Sequence, residues 1–248
     1  MKKILNLIIA VATMVGINSA FAAQTYTDSS TDIGAGIANA GGTANFLSAE
    51  VSNTATDLVF KLNLNGSVAA TDWAKFMIGI STSASALNTP TGNGWNRPIN
   101  VNSPNGGINF WIGSWVDGGG GANMWEYTGE GTIGGGGTLN EWTSRSGSSL
   151  LMSGNQLTLS VSRASLGLNS TSDVTIYFDA FSSGGGGNDA AIDALSTSTV
   201  SMANWGDTTT ISTPLSYTVS GIPEPSSTLL MGLGLAGLAV LRRTRKNA

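Results

Sequence analysis

Residues 155–179, NQLTLSVSRASLGLNSTSDVTIYFD, contain two stretches in which apolar and polar side chains alternate, at 157–162 and at 174–179. Successive side chains of a β-strand point to opposite faces, so this alternation predicts two strands that each bury one face. Between them, residues 163–168 (RASLGL) predict one short turn. The region is therefore expected to be built from strands and turns.

The same alternation recurs at intervals along the middle of the chain. Its other occurrences are at residues 60–65, 76–80, 108–112 and 215–219. Clusters of Gly, Asn, Ser and Asp separate them, and no long amphipathic helix appears. Short strands with turn-rich connections are typical of all-β domains, so we predict a single antiparallel β-sandwich, jelly-roll-like, over residues 23–220. Strands of ordinary length would give it roughly 8 to 10 strands.

The composition of the chain excludes several classes of site. None of its 248 residues is Cys or His. Disulfides, thiol nucleophiles and thiolate metal sites are therefore excluded, as are the commonest general base and the commonest transition-metal ligand. Between residues 24 and 222 there are 5 Lys or Arg against 14 Asp or Glu, a net charge of −9. Because an acidic body repels phosphate, we predict no nucleic-acid partner.

The first residues of the chain, MKKILNLIIAVATMVGINSAFAA, have the pattern of an export signal. Lys2 and Lys3 precede an apolar run, and small residues follow it. Ala20 and Ala22 occupy the −3 and −1 positions of a signal-peptidase site, so residues 1–22 are predicted to be a signal peptide. A short N-terminal membrane anchor is the alternative interpretation.

A second apolar segment lies within residues 221–248, GIPEPSSTLLMGLGLAGLAVLRRTRKNA. Residues 226–241 carry no charge and follow a proline, which predicts a transmembrane helix over about 226–241. Four cations follow this helix and, by the positive-inside rule, would be retained in the cytoplasm. They are Arg242, Arg243, Arg245 and Lys246. A plain tail anchor is the alternative interpretation.

The order of parts in this segment resembles a PEP-CTERM sorting signal. Pro223, Glu224 and Pro225 are followed by a short Ser/Thr stretch, a Gly/Leu-rich apolar helix and a final Arg cluster. The resemblance implies transient anchoring in the inner membrane and processing by an exosortase, with Glu224 as a recognition residue. It further implies release to the cell surface or extracellular matrix of a Gram-negative bacterium that makes exopolysaccharide.

Residues 155–195 have a second resemblance, in which two strands are followed by a polar loop carrying Asp189 and Asp193. This pattern is similar to the last third of CBM9-like and DOMON-like carbohydrate-binding sandwiches. The resemblance implies a sandwich fold and carbohydrate binding. Haem-binding members of that group use His and Met as axial ligands, and the absence of His disfavours haem in this chain.

Three runs of four glycines occur at 118–121, 134–137 and 184–187, and each is followed by Asn and an acidic residue. No Lys or helix start follows them, so they do not resemble phosphate-binding loops. One interpretation is that they are flexible loops at one end of the sandwich. The other is a Ca²⁺ site, since hard cations prefer oxygen ligands. The candidate ligands for such a site are Asp117, Asp189 and Asp193.

Tryptophan is concentrated in one part of the chain, with five of the seven residues between positions 95 and 142. In the stretch INFWIGSWV, the alternation places Ile108, Phe110 and Ile112 on one face and Trp111 and Trp115 on the other. Two exposed indoles about 13 Å apart along a strand could stack on sugar rings. The alternative is that both pack under a loop or against a neighbouring strand.

These observations favour a non-enzymatic function. Glu126, Glu130 and Glu141 are the only neighbouring glutamates, and glycine-rich loops would hold them too loosely for paired-carboxylate catalysis. We therefore expect an exported protein of the cell surface or extracellular matrix, with signal peptidase and exosortase as its processing partners. The alternative is a carbohydrate-binding module that recognises exopolysaccharide through its tryptophans. No cofactor other than Ca²⁺ is expected.

Overall fold

The computed structural model describes residues 23–222 except 35, 36, 38, 86, 134–136, 198, 199, 201 and 202, and of residues 130–140 it describes no side chain. The predicted signal peptide, the motif at 223–225, the transmembrane helix and the basic tail thus lie outside the described residues. Among the residues described, no helix has the length and apolar character needed to cross a membrane.

The regular structure of residues 23–222 is almost entirely β. The strands are β1 (Gln24–Thr27), β2 (Phe46–Asn53), β3 (Asp57–Leu64), β4 (Lys75–Ser81), β5 (Ile99–Val101), β6 (Phe110–Trp115), β7 (Gly121–Ile133), β8 (Gly137–Arg145), β9 (Ser148–Ser153), β10 (Gln156–Ser162), β11 (Val174–Ser183), β12 (Ala191–Ala194), β13 (Thr209–Ile211) and β14 (Leu215–Val219). In the described ranges, helical residues are confined to three 3-10 turns, at Ala40–Gly42, Val68–Ala70 and Asp117–Gly119. The all-β prediction is confirmed.

The strands form two large antiparallel sheets and one small one. The first sheet has the order β1-β2-β3-β10-β9. The second has the order β12-β11-β4-β6-β7-β8, and β14 also pairs with β11. The small sheet is a parallel pair of β5 and β13. Two facing antiparallel sheets make the predicted sandwich, with more strands than expected because strands as short as β5 and β13 show no readable alternation.

The two alternating stretches at 157–162 and 174–179 lie in different sheets. The first is in β10, which pairs with β3, and the second is in β11, which pairs with β4. Arg163 holds the connection between them, since its buried guanidinium donates to the carbonyl oxygens of Thr54 and Leu168 at 2.8 and 2.9 Å. Carbonyl acceptors satisfy a buried guanidinium that has no carboxylate partner. The chain thus crosses the sandwich at this point.

The main core lies between the two large sheets. It is formed by the inward side chains of alternating positions, such as Phe60 in β3 and Ile78 in β4. Phe178 of β11 joins the sheets, because its ring meets Tyr26 and Phe60 edge-on at centroid distances of 5.2 and 5.3 Å. Full burial of such side chains contributes about 1.5–3 kcal/mol each. The alternation of apolar and polar residues in the sequence therefore identified the face of each strand that packs in the core between the sheets.

A second apolar cluster covers the outer face of the seven-stranded sheet. Met77, Trp111 and Phe181 point outward from β4, β6 and β11, and all three are fully buried. Residues Ile99, Val101, Ile108 and Ile211 belong to the same cluster and come from β5, β13 and the segment before β6. Ile108 therefore does not share the face of Phe110 and Ile112, as the alternation predicted, because regular strand geometry begins only at Phe110.

Candidate functional site

Trp111 is not available to a ligand. It has no exposed surface, and its ring stacks on Phe181 with a centroid distance of 5.9 Å and an interplanar angle of 23°. The prediction that it faces away from Phe110 and Ile112 is confirmed, since those two residues lie in the core between the sheets. Of the two interpretations, the exposed platform is wrong for Trp111, and the alternative, that it packs beneath other parts of the chain, is confirmed. The outer face of β6 is covered at this position by the second apolar cluster.

Trp115, at the end of β6, is only half-buried and lines an open groove of about 430 Å³. A second half-buried indole, Trp95, from the segment between β4 and β5, also lines it. The remaining lining residues are Lys75, Arg97, Asp117 and Gly187. The groove therefore combines two aromatic surfaces with a few charged groups, which is the usual composition of a small-molecule or sugar site.

Glycines on β6 and β7 position the two indoles. A Cβ on Gly113 would lie 2.2 Å from Cε2 of Trp95, and a Cβ on Gly121 would lie 2.4 Å from Cζ2 of Trp115. Real Cβ atoms do not approach other atoms so closely, so each ring rests directly on glycine backbone. Gly121 pairs with Trp115 across the sheet. The backbone of Gly113 and Gly121 thus forms the floor of the groove, and the pairing of β6 with β7 sets the position of Gly121 under Trp115.

Arg97 links the groove to the third glycine run. Its guanidinium is almost fully buried and donates to Ser183 Oγ at 2.7 Å and to the carbonyl oxygen of Gly184 at 2.9 Å. It also lies 5.6 Å from the centroid of the Trp95 ring, in cation–π geometry. Burial lowers the pKa of the Arg97 guanidinium from its ordinary value, and the charge of Asp189 opposes this shift. Arg97 therefore fixes one indole against the 184–187 loop.

An ion pair lies at the edge of the groove. Lys75 Nζ is 2.7 Å from Asp117 Oδ1, and the Asp117 side chain is about half exposed. The hydrogen bond from Lys75 lowers the pKa of the Asp117 carboxyl. The turn that carries Asp117 needs glycine, because φ is +59° at Gly118 and +91° at Gly119.

The proposed Ca²⁺ ligands do not come together. Asp117 is paired with Lys75, whereas Asp189 accepts a hydrogen bond from the backbone N–H of Gly186 at 2.7 Å. Asp193 is fully buried in β12. Each of the three acids lies in a different environment, because the loop at 184–187 folds back onto Asp189 instead of opening toward Asp193.

Asp193 lies instead with two acids that the sequence analysis did not select. Single carboxylate oxygens of Asp28, Asp32 and Asp193 all lie within 4.8 Å of one another. Asp28 and Asp32 bracket the stretch DSSTD directly after β1, a spacing that could have drawn attention to them. Nothing in the sequence indicated Asp193 as their partner, since more than 150 residues separate them. The sequence also did not single out Trp95 and Arg97, because the segment around them shows no regular alternation of apolar and polar residues.

The comparisons with known proteins concern the end of the chain. Residues 221–246 match the family model of the PEP-CTERM protein-sorting motif. No curated protein and no solved structure matches the chain. The match covers the residues on which the resemblance to a sorting signal was based, including Pro223, Glu224 and Pro225. The chain therefore carries a PEP-CTERM protein-sorting motif at its C-terminal end and is an exported protein targeted to an exosortase.

Proposed function

We propose that this chain is a non-enzymatic protein of the cell surface or extracellular matrix, in a Gram-negative bacterium that produces exopolysaccharide, and that its domain binds polysaccharide in the groove between Trp95 and Trp115. The observation that carries the proposal is the groove itself, in which two half-buried indoles face an open space of about 430 Å³. The sorting motif supports the setting, because it identifies the chain as an exported target of an exosortase.

The chemistry of the groove suits a sugar chain. The C–H face of a pyranose packs on the π-surface of an indole, and hydroxyl groups need donors and acceptors at the rim. Lys75 supplies a donor and Asp117, which is half exposed, supplies an acceptor. The groove is open to solvent and not enclosed, so a segment of a polymer could rest in it.

The acid groups of the groove support binding without hydrolysis. Among its lining residues the only carboxylate is Asp117, whereas glycoside hydrolysis generally uses two. Its hydrogen bond with Lys75 lowers its pKa, so that it stays ionised and cannot donate a proton near neutral pH. Glu126 is likewise held in an ion pair with Arg145 at 2.7 Å.

Affinity electrophoresis tests this proposal. The protein is run through native gels that contain the exopolysaccharide of the bacterium that produces the protein. Gels that contain dextran serve as the reference. We expect retardation in the exopolysaccharide gel, and we expect W95A and W115A each to weaken binding roughly tenfold, which corresponds to about 1.4 kcal/mol.

The matched control is W142A, which removes a half-buried indole from β8 that does not line the groove. This variant should be retarded as strongly as the unsubstituted protein. Equal retardation of W95A, W115A and W142A would exclude the groove as the binding site. An unsubstituted protein that migrates identically in both gels would exclude polysaccharide binding.

A further inference from the structure

We infer that Asp28, Asp32 and Asp193, together with the side-chain oxygen of Asn45, form a Ca²⁺ site that joins the loop after β1 to β12. This site shares no residue with the groove, so its test is independent of polysaccharide binding. Its carboxylates come from two distant parts of the chain, and Asn45 directly precedes β2. The inference rests on the geometry of the cluster, on its unsatisfied oxygens and on its charge.

The three carboxylates are close together and shielded from water. One oxygen of each lies within 4.8 Å of the others. Asp193 has no exposed surface, Asp32 is 6% exposed, and Asp28 is half-buried. A distance of this order between ligand oxygens fits around one Ca²⁺, which takes oxygen ligands at about 2.3–2.6 Å.

Several oxygens of the cluster have no hydrogen-bond partner. Asp193 is partly satisfied, since its two oxygens accept from the backbone N–H groups of Phe46 and Ala194 at 2.7 and 2.8 Å. In contrast, both oxygens of Asp32 and Oδ2 of Asp28 are buried without a partner. Buried acceptors are rarely left in this state, because each loses its hydration without compensation. A cation would satisfy all three oxygens at once.

Asn45 provides a second, independent indication. It is 1% exposed, and its Oδ1 has no hydrogen-bond partner. Its Nδ2 donates at 2.9 Å to the carbonyl oxygen of Ser30, which lies between Asp28 and Asp32 in the loop. The residue after it, Phe46, donates its backbone N–H to Asp193. The Asn45 amide is thereby held by the loop between Asp28 and Asp32, next in sequence to the residue that binds Asp193, and its unpartnered oxygen is available as a neutral ligand.

No side-chain cation of residues 23–222 balances this charge. The Lys and Arg residues of that part of the chain are engaged elsewhere: Lys61 with Glu50, Lys75 with Asp117, Arg145 with Glu126, and Arg97 and Arg163 with backbone carbonyls. The three carboxylates therefore have no side-chain cation as a partner, and a bound metal ion would supply the positive charge that buried carboxylates require.

The ligand chemistry favours Ca²⁺ over other cations. All four donors are oxygens, and the chain contains neither Cys nor His, so soft or borderline transition metals have no preferred ligand. Mg²⁺ demands near-ideal octahedral geometry at about 2.0–2.1 Å, whereas Ca²⁺ accepts irregular sets of six to eight oxygens completed by water. The ligands of this cluster come from a loop, from β12 and from the residue before β2, so an irregular arrangement of oxygens is expected. Such an arrangement suits Ca²⁺ better than Mg²⁺.

The test measures thermal unfolding and Ca²⁺ binding by the full chain in a non-ionic detergent. Against a chelator, saturating CaCl₂ should raise Tm by at least about 5 °C, as expected when a ligand binds only the folded state. Isothermal titration with CaCl₂ should give one site per chain, and MgCl₂ should give a smaller shift in Tm.

The decisive variant is D32N, which removes one charge from the cluster. The oxygens of Asp32 accept no hydrogen bond from a backbone N–H, an amide or a hydroxyl group, so this variant should fold. Its Tm in chelator should be no lower than that of the unsubstituted chain, because repulsion between carboxylates is relieved. It should lose the Ca²⁺-dependent shift. The matched control, D72N, removes an exposed carboxylate and should keep the shift.

The inference is overturned if the unsubstituted chain has the same Tm in CaCl₂ and in chelator and titration detects no binding. It is also overturned if D32N keeps the full shift, or if MgCl₂ stabilises the chain as strongly as CaCl₂. If D32N loses the shift and D72N keeps it, the site is placed at the Asp28–Asp32 loop.

Discussion

Individual residues show how burial decides the behaviour of polar groups in this domain. Asp179 in β11 is fully buried on the outer face of the seven-stranded sheet, where its carboxylate accepts from the backbone N–H groups of Ala180 and Ser196 and from the Ser196 hydroxyl. Despite these bonds, burial raises its pKa to about 7. At this position the loss of hydration outweighs the hydrogen bonds that favour the charged form.

A raised pKa at Asp179 makes stability depend on pH. The folded chain holds this proton more tightly than the unfolded chain does, so the free energy of unfolding should fall as the pH rises from about 4 to about 7. D179N cannot ionise and should show a shallower pH dependence in that range. Denaturant unfolding at pH 5 and pH 7.5, in chelator, measures the difference.

Asp28 and Asp193 change stability in the same direction, because their pKa values are also raised, so D179N should keep part of the pH dependence. D72N is the control, since it removes an exposed carboxylate and should leave the pH dependence as it is. Identical pH profiles for D179N and the unsubstituted chain would contradict the role given to Asp179.

At the scale of elements, β6 and the segment before β5 together build the groove. β6 carries large side chains on both faces, and Gly113 is the position at which its outer face must stay empty. Trp95 fills that space from the segment between β4 and β5. The strand supplies the flat surface, and that segment supplies the ring that rests on it.

Gly113→Ala tests this arrangement. Its Cβ would lie 2.2 Å from Cε2 and Cζ2 of Trp95, so the indole must move away from β6. We expect a loss of about 1–3 kcal/mol in the free energy of unfolding, as for overpacked sites, together with weaker retardation in exopolysaccharide gels.

The control for this substitution is G206A. A Cβ on Gly206 would meet no atom within 4 Å, so this variant should keep both stability and binding. Stability and binding of G113A equal to those of G206A would show that Trp95 does not depend on the glycine floor.

The sequence predicted the strands better than the contacts that each strand makes with distant parts of the chain. Alternation identified β3, β4, β10 and β11 because one face of each strand packs in the core, and that requirement is local and periodic. It also gave the correct face for Trp111. It could not show that this face is covered, because the segment before β6 folds over it through contacts between residues distant in sequence. Asp193 was selected, but its neighbours Asp28 and Asp32 are brought to it only by the fold.

At the scale of the whole molecule, the chain combines a β domain built around an apolar core with a sorting motif at residues 221–246. Under the proposed function, exosortase processing would depend on the motif and polysaccharide binding would depend on the domain. The two functions can therefore be separated by mutation. A change in the motif should alter where the protein is found without altering what the groove recognises.

Glu224→Ala should prevent processing of the chain by the exosortase. In a host that has an exosortase, we expect the variant to remain full-length in the inner-membrane fraction, while the unsubstituted chain is released without its basic tail. Cell fractionation followed by mass spectrometry of the C-terminus measures both outcomes. E141A is the control, because it removes an exposed glutamate of the domain and should be released normally.

Intact Arg242 to Lys246 on released protein would contradict exosortase processing. Release of E224A at the same rate as E141A would show that Glu224 is not a recognition residue. Either result would leave the groove and its binding test unaffected.

The buried carboxylates near the start of the domain have a consequence for the timing of folding. Asp28 lies six residues after Ala22, so the site inferred there forms about 20 Å of extended chain from the predicted cleavage point. Free Ca²⁺ is scarce inside cells, and extracellular modules bind it with dissociation constants near 10⁻⁴–10⁻³ M. Before translocation the three acids would repel one another and delay closure of the N-terminal edge. The chain would then reach full stability only on the far side of the membrane, which favours passage in a loosely folded form.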